Sequence, residues 1–162
     1  MISDTDIHHL HRCIELAEMA LDEGDQPFGS LLVSGEGEVL FEDHNRISSG
    51  DRTRHPEFAI ARWAAKNMTP AERKSATVYT SGEHCPMCAA AHGWVGLGRI
   101  VYASSSEQLV EWLNMLGVEQ SPVKNLPVQE VIRDAQVDGP VPELAEQVFE
   151  LQRRYHGKQV QA

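Results

Sequence analysis

ATVYTSGEHCPMCAAAHGWVGLGRIVYAS, residues 76–104, places two runs rich in β-branched and aromatic residues on either side of a small-residue stretch. ATVYTS and RIVYAS each have the length and composition of a buried strand, and CPMCAAAHGWVGLG between them reads as a short helix broken by glycines. Two strands joined through a helix make a crossover unit, which pairs its strands in parallel and covers one face of their sheet. The pattern on either side extends this to a partly parallel sheet with helices on both faces.

Upstream, helical spacing begins at His55 and puts Phe58, Ala61, Ala65 and Met68 on one face, with Pro70 beyond the helix end. GSLLVSGEGEVLFED, residues 29–43, reads as two short strands around the turn Gly35-Glu36-Gly37. Ile7, Leu10, Ile14, Ala17 and Leu21 recur three and four apart, the stripe of an amphipathic opening helix that stops at Gly24 before Pro27. Cys13 lies at the edge of that stripe as a small buried hydrophobe, while His8, His9 and His11 fall off it and are expected in solvent. Downstream, SSEQLVEWLNMLG makes a helix with Leu109, Leu113 and Leu116 inward, and NLPVQEVI can supply a last strand. Val141, Leu144, Val148, Leu151 and Tyr155 mark a closing helix. With no internal repeat and no domain-separating linker, residues 1–162 are expected to form one α/β domain of three layers, α/β/α, on a mixed, about five-stranded sheet.

A chain of 162 residues can bury roughly 68–70% of its unfolded surface around one core, which suits a single domain. Fourteen Lys and Arg against 24 Asp and Glu leave a net charge of −10, which disfavours nucleic acid as a partner unless a local basic patch intervenes. No apolar run approaches the roughly 18 residues of a membrane helix, and MISDTDIHHLHR at the start is acidic and His-rich where a secretory signal is basic and then apolar. These features predict a cytoplasmic protein with no membrane partner. In a reducing compartment an odd count of three cysteines, two of them in Cys-x-x-Cys spacing, points to metal binding or thiol chemistry.

Cys85-Pro86-Met87-Cys88 falls where a strand ends and a helix begins, so backbone N–H groups and the helix dipole would stabilise thiolates there. His55-Pro56-Glu57 stands at another helix start, and in both motifs the ligand type precedes a proline, the residue best tolerated in a first helical turn. His55, Cys85 and Cys88 together give three zinc ligands, and tetrahedral zinc then keeps one position open for water, the arrangement of catalytic sites. One Zn2+ per chain with a bound water or hydroxide is therefore expected. Glu57, two residues from a ligand, is placed to take the proton of that water and return it to a leaving group.

His55-Pro56-Glu57 followed by Cys85-Pro86-Met87-Cys88 resembles the signature of the zinc-dependent cytidine and nucleobase deaminases, H-x-E…P-C-x-x-C, in which the Glu is an acid/base and not a ligand. The resemblance covers most of the chain. Asp51-Arg52-Thr53-Arg54-His55-Pro56-Glu57 is similar to the family's D-P-T-x-H-A-E, and Thr80-Ser81-Gly82-Glu83-His84-Cys85-Pro86-Met87-Cys88 to its T-x-x-E-P-C-P-M-C run. Pro27-Phe28-Gly29-Ser30 resembles the P-F-G-A of the guanine-deaminase branch, Asn45 takes the place of the family's base-binding Asn, and Trp94 stands where that branch also has a Trp.

The resemblance implies a cytidine-deaminase-like fold, catalysis by Glu57, substrate contacts from Asn45, Phe28 and Trp94, and a homodimer. It implies hydrolytic deamination of a small amino-substituted nucleobase, guanine first, with release of ammonia. His84 and Pro56 depart from the family pattern, and His84 borders the site. The guanine branch reads the exocyclic amine with an acidic residue beyond the fourth strand, for which Glu111 and Glu119 are the candidates.

Three other readings compete. A pyrimidine base or nucleoside such as cytosine or cytidine is the nearest, and wobble adenosine in tRNA follows. A Cys-x-x-Cys thiol–disulfide oxidoreductase would use the cysteines without metal, but it gives His55 and Glu57 no task. A structural zinc knot would need a fourth protein ligand, His84 or His92. Asn45 as a simple turn residue and Phe28 and Trp94 as core are the plain alternatives for the substrate contacts.

Overall fold

The computed structural model describes the backbone of residues 1–161 and the side chains of residues 1–157. Helix α1 (Asp4–Asp22) leads into strands β1 (Gly29–Val33) and β2 (Val39–His44), followed by α2 (Pro56–Asn67), α3 (Pro70–Ser75) and β3 (Thr77–Gly82). Then come α4 (Pro86–Val95), β4 (Arg99–Ser104), α5 (Ser106–Met115), β5 (Val137–Asp138) and α6 (Pro142–Gln161). The five strands lie in the order β2-β1-β3-β4-β5. β1 runs antiparallel to both neighbours, whereas β3, β4 and β5 are parallel. The expected mixed, five-stranded sheet covered on both faces is what forms.

Alternation along the strands sorts the two cores. Leu31, Val33, Tyr79, Val101 and Ala103 point toward α1 and α6, where they meet Leu10, Cys13, Ala17, Leu144 and Val148. Leu32 and Val78 point to the other face, against Ile60, Ala61 and Ala64 of α2, and Ile100 and Tyr102 meet Ala89 of α4 and Val128. Gly29 marks where α1 crosses closest to the sheet. A Cβ there would stand 2.4 Å from the Cys13 carbonyl and 2.5 Å from the Leu16 Cβ.

Four expectations change. The buried side of α2 is Pro56, Glu57, Ile60, Ala61 and Ala64, not the stripe through Phe58, Ala65 and Met68. A carboxylate occupies one core position, and this polar residue disguised the helical period. Pro70 lies beyond the end of α2 as expected, and it also starts α3, which is capped by Thr69 with Glu72 in a reciprocal box. NLPVQEVI is not a strand: residues 128–130 form a 3-10 turn, the Val128 N–H is taken by the Glu83 carboxylate at 3.0 Å, and the edge strand comes later as β5. Leu109, Leu113 and Leu116 are only half-buried, and Ser106 is the one buried residue in α5. His9 is buried with its ring 4.7 Å from Tyr79, so only His8 and His11 of the three face solvent.

No helix among the described residues is long and apolar enough to cross a membrane. Gly29→Ala should lower stability by about 1–3 kcal/mol, the usual range for forcing an atom into a packed core. Its thermal or urea midpoint measures this directly, and an unshifted midpoint would show that α1 can move off the sheet freely.

Candidate active site

His55 is the N-cap residue of α2 and Cys85 that of α4, each followed by proline at the first helical position. Neither side chain caps its own helix, so the imidazole and the thiol are free to face one another. The His55 Nδ1 lies 3.5 Å from Cys85 Sγ and 3.6 Å from Cys88 Sγ. Zinc bonds of about 2.0–2.1 Å to nitrogen and about 2.3 Å to sulfur, set at tetrahedral angles, put N and S about 3.6 Å apart. The donor set therefore fits zinc in both chemistry and spacing. All three ligand atoms lie within 4.8 Å of one another, and no fourth His, Cys, Asp or Glu atom joins them among the described residues. That excludes His84 and His92 as closing ligands of a structural knot and leaves the open position of a catalytic centre.

The protons of the metal-free cluster are distributed by its own hydrogen bonds. Cys85 is pulled down to about 4, chiefly by hydrogen bonding from Cys88 and then from His55, with burial opposing. Cys88 moves the other way, well above the ordinary thiol range, because it keeps the shared proton and is buried. Burial lowers His55, yet its hydrogen bond to Cys85 and the nearby Glu57 and Cys85 charges raise it on balance. Metal binding has to displace these protons, which couples zinc affinity to pH.

Glu57, in the first turn of α2, is 6% exposed, and this burial raises its carboxyl while the nearby His55 restrains the rise. Such a shift moves a carboxylate toward the range in which it can both take and give a proton near neutrality. Ser30 and Thr80 donate to its Oε1 at 3.0 and 2.9 Å. The sequence reading singled out neither hydroxyl. A polar residue inside GSLLV, a strand buried over its whole length, was the available signal. Glu83 was also missed as a strut: its carboxylate accepts from the N–H of Ser106 at 2.7 Å and from Val128, tying the start of α5 and the 128–130 turn to the residue before His84.

Of the expected substrate contacts, two lie together near the start of β1 and the end of β3. The half-buried Phe28 ring packs over Gly82, where any Cβ would meet it at 3.2 Å, two residues beyond Thr80. Asn45 is buried and its N–H bonds the Phe28 carbonyl at 3.0 Å. Its Oδ1 accepts from Ile47 N at 3.1 Å, so the turn role is real, while Nδ2 has no acceptor among the described residues.

Trp94 is not brought to the site. It is 89% exposed near the far end of α4, about 13 Å along the helix axis from Cys85 at about 1.5 Å per residue. Glu111 and Glu119 are exposed on α5 and in the loop after it. His84 is buried edge-on against His92, with ring centroids 5.4 Å apart, and burial pushes both below the usual imidazole range. Arg54 and His55 line an open cavity of about 350 Å3, with Phe58 and Arg62 on its wall.

An open three-ligand zinc centre with a buried acid beside it, set on two helix starts of an α/β/α sandwich, defines a zinc hydrolase. Residues 3–104 match the family described as the cytidine and deoxycytidylate deaminase zinc-binding region, and the chain belongs to it. It is thus a zinc-type deaminase, a hydrolase acting on C–N bonds. It is similar to a probable cytosine deaminase of Schizosaccharomyces pombe, 34% identical over 110 residues, covering 68% of this chain and 67% of that one. It is similar to a guanine deaminase of Bacillus subtilis, 32% identical over 104 residues, covering 63% and 66%. tRNA-specific adenosine deaminases also match. The solved guanine deaminase of Nitrosomonas europaea shares the fold, with a TM-score of 0.72 at 18% identity over 97% of this chain and 86% of that one.

The purified protein should carry one zinc per chain, and Cys88→Ala should lose it, with a drop in thermal midpoint because the ligands tie α2 to α4. Metal analysis reads the first and calorimetry the second. After zinc removal, iodoacetamide at pH 6 should alkylate Cys85 and spare the fully buried Cys13, as read by peptide mass mapping. Equal labelling of the two would contradict the assigned thiolate.

Proposed function

We propose that residues 1–162 act as one deaminase domain that hydrolyses the amino group of a small nucleobase, guanine first, giving the oxo base and ammonia. The observation that carries this reading is the buried Glu57 beside the cluster of His55, Cys85 and Cys88. Zinc held by those three residues would supply a water acidic enough to act as nucleophile near neutral pH. Glu57 receives one proton of the attacking water and passes it to a ring nitrogen. It then takes the second proton from the hydroxyl added to the ring carbon and gives it to the amine, so that the C–N bond breaks as the carbonyl forms and ammonia leaves. Its burial keeps bulk water from competing for that proton and raises the carboxyl above its ordinary value, the direction that favours giving the proton back.

Phe28 offers an apolar face for a planar ring, and Asn45 Nδ2 offers a donor to the ring edge. The resemblance of Pro27-Phe28-Gly29 to the guanine branch and the charge of −10 support a free purine base over a polynucleotide. The 34% identity to a probable cytosine deaminase favours cytosine as the second reading. A reduced Cys85 and Cys88 suit a reducing compartment, the cytoplasm, and the family resemblance supports a homodimer.

Ammonia release over guanine, adenine, cytosine, cytidine and guanosine tests the reading, with guanine expected to show the highest kcat/KM and tRNA to remain unmodified. A preference for cytosine would replace the substrate and leave the zinc chemistry in place. Glu57→Gln should keep zinc and substrate binding while turnover falls by at least about 10²–10⁴-fold. Loss of zinc together with turnover would make Glu57 a ligand and not the proton carrier.

A further inference from the structure

We propose that Ser30 and Thr80 are positioning residues that anchor one oxygen of Glu57, so that protons travel only on the other; this rests on Glu57 being the proton carrier. Ser30 and Thr80 are both fully buried and lie directly opposite each other in the β1–β3 register. A sheet covered on both faces is ordinarily apolar at such positions, because a buried hydroxyl costs stability unless it is hydrogen-bonded. This pair shares one acceptor. Ser30 Oγ and Thr80 Oγ1 lie 3.0 and 2.9 Å from Glu57 Oε1 and 2.9 Å from each other.

Both hydroxyls are on Oε1 and neither is on Oε2, and the other groups in hydrogen-bond reach of the carboxylate are the Glu57 N–H and the Cys88 sulfur. Two donors fill both lone pairs of Oε1, so a proton added to the carboxylate goes to Oε2. The terminal torsion of a Glu side chain is broad, and without an anchor the two oxygens would exchange places.

Thr80 also fits both protonation states. Its Oγ1 lies 2.8 Å from the Gly82 carbonyl, a second acceptor for its single proton. When Glu57 is ionised both hydroxyls point at Oε1. When Glu57 is protonated and accepts more weakly, Thr80 turns to Gly82 while Ser30 stays, and no buried donor is stranded. Each proton taken from the water sits on Oε2 and leaves from Oε2, the first to the ring nitrogen and the second to the amine, while the Ser30 and Thr80 hydroxyl protons never leave their oxygens.

Ser30→Ala and Thr80→Val, made singly and together with Thr80→Ser as the hydroxyl-retaining variant, test this with guanine as substrate. Each single loss should lower kcat about tenfold or more, since hydrogen bonds to charged groups are worth about 1.5–3 kcal/mol. KM should stay within about twofold and zinc at one per chain. Thr80→Ser should restore what Thr80→Val loses, and the double variant should lose less than the product of the singles because both act on one oxygen.

Infrared difference spectra against Glu57→Gln isolate the Glu57 carboxylate stretch without any turnover. The band should shift in Ser30→Ala and Thr80→Val and stay in place in Thr80→Ser. An unmoved band, independent multiplicative losses, or zinc lost in step with kcat would each overturn the proposal. A wild-type protein that deaminates no base would instead defeat the functional reading, and the infrared result would still decide the anchoring.

Discussion

Everything in this molecule turns on bringing a ring nitrogen from one helix start to within 3.5 Å of a thiol from another. Helices α2 and α4 start at the same end of the sheet because β2 and β3, the strands that precede them, both run antiparallel to β1 and so finish at the same edge, with the helices packed on the same face. Prolines at the first turn cost neither helix a hydrogen bond, and they leave His55 and Cys85 as N-caps with extended backbone. Two helix dipoles then point their positive ends at the thiolates, which favours the deprotonated sulfur that a metal requires. The close approach of α1 at Gly29 holds the start of β1 flush against its supporting helix, and Ser30 follows directly from it.

A second layer of the design is polar and buried. Glu57 occupies a core position on α2, where an isolated carboxylate would be destabilising, and the local answer is a cross-strand pair of hydroxyls with matching geometry. Glu83 performs a comparable service on the other side of Cys85, satisfying two backbone N–H groups from separate segments with one carboxylate. The site is thus braced by side chains of the sheet and of the 82–85 turn, and the loop-rich stretch after α5 is attached to it at Val128. Phe28 and Asn45 are joined through their backbones by a single hydrogen bond.

The sequence showed the three clustered metal-ligand residues and the α/β order clearly because each has a local cause. His-Pro-Glu and Cys-Pro-Met-Cys sit at helix starts whose punctuation is visible without tertiary information, and ATVYTS and RIVYAS carry the β-branched and aromatic residues that favour strands. What stayed hidden depends on partners far along the chain. The inward face of α2 was misplaced because its core stripe contains Glu57, and only the hydroxyls of β1 and β3 make that position tolerable. The 128–130 turn was read as a strand because Leu126, Val128 and Val131 fit one, while the partner that claims the Val128 N–H lies at Glu83. His9 looked solvated because its cover, Tyr79, is on β3. Trp94 carried a family-based expectation that the length of α4 refuses, since a residue near the far end of that helix cannot reach a centre at its start.

The central claim is an open zinc centre made by His55, Cys85 and Cys88, with Glu57 beside it and not in it. X-ray absorption at the zinc edge of the native protein measures this directly. The account predicts two sulfur scatterers at about 2.3 Å and two light-atom scatterers at about 2.0–2.1 Å, only one of which has the outer-shell pattern of an imidazole. A second imidazole pattern, a carboxylate ligand that disappears in Glu57→Gln, or fully active protein with no zinc would contradict it.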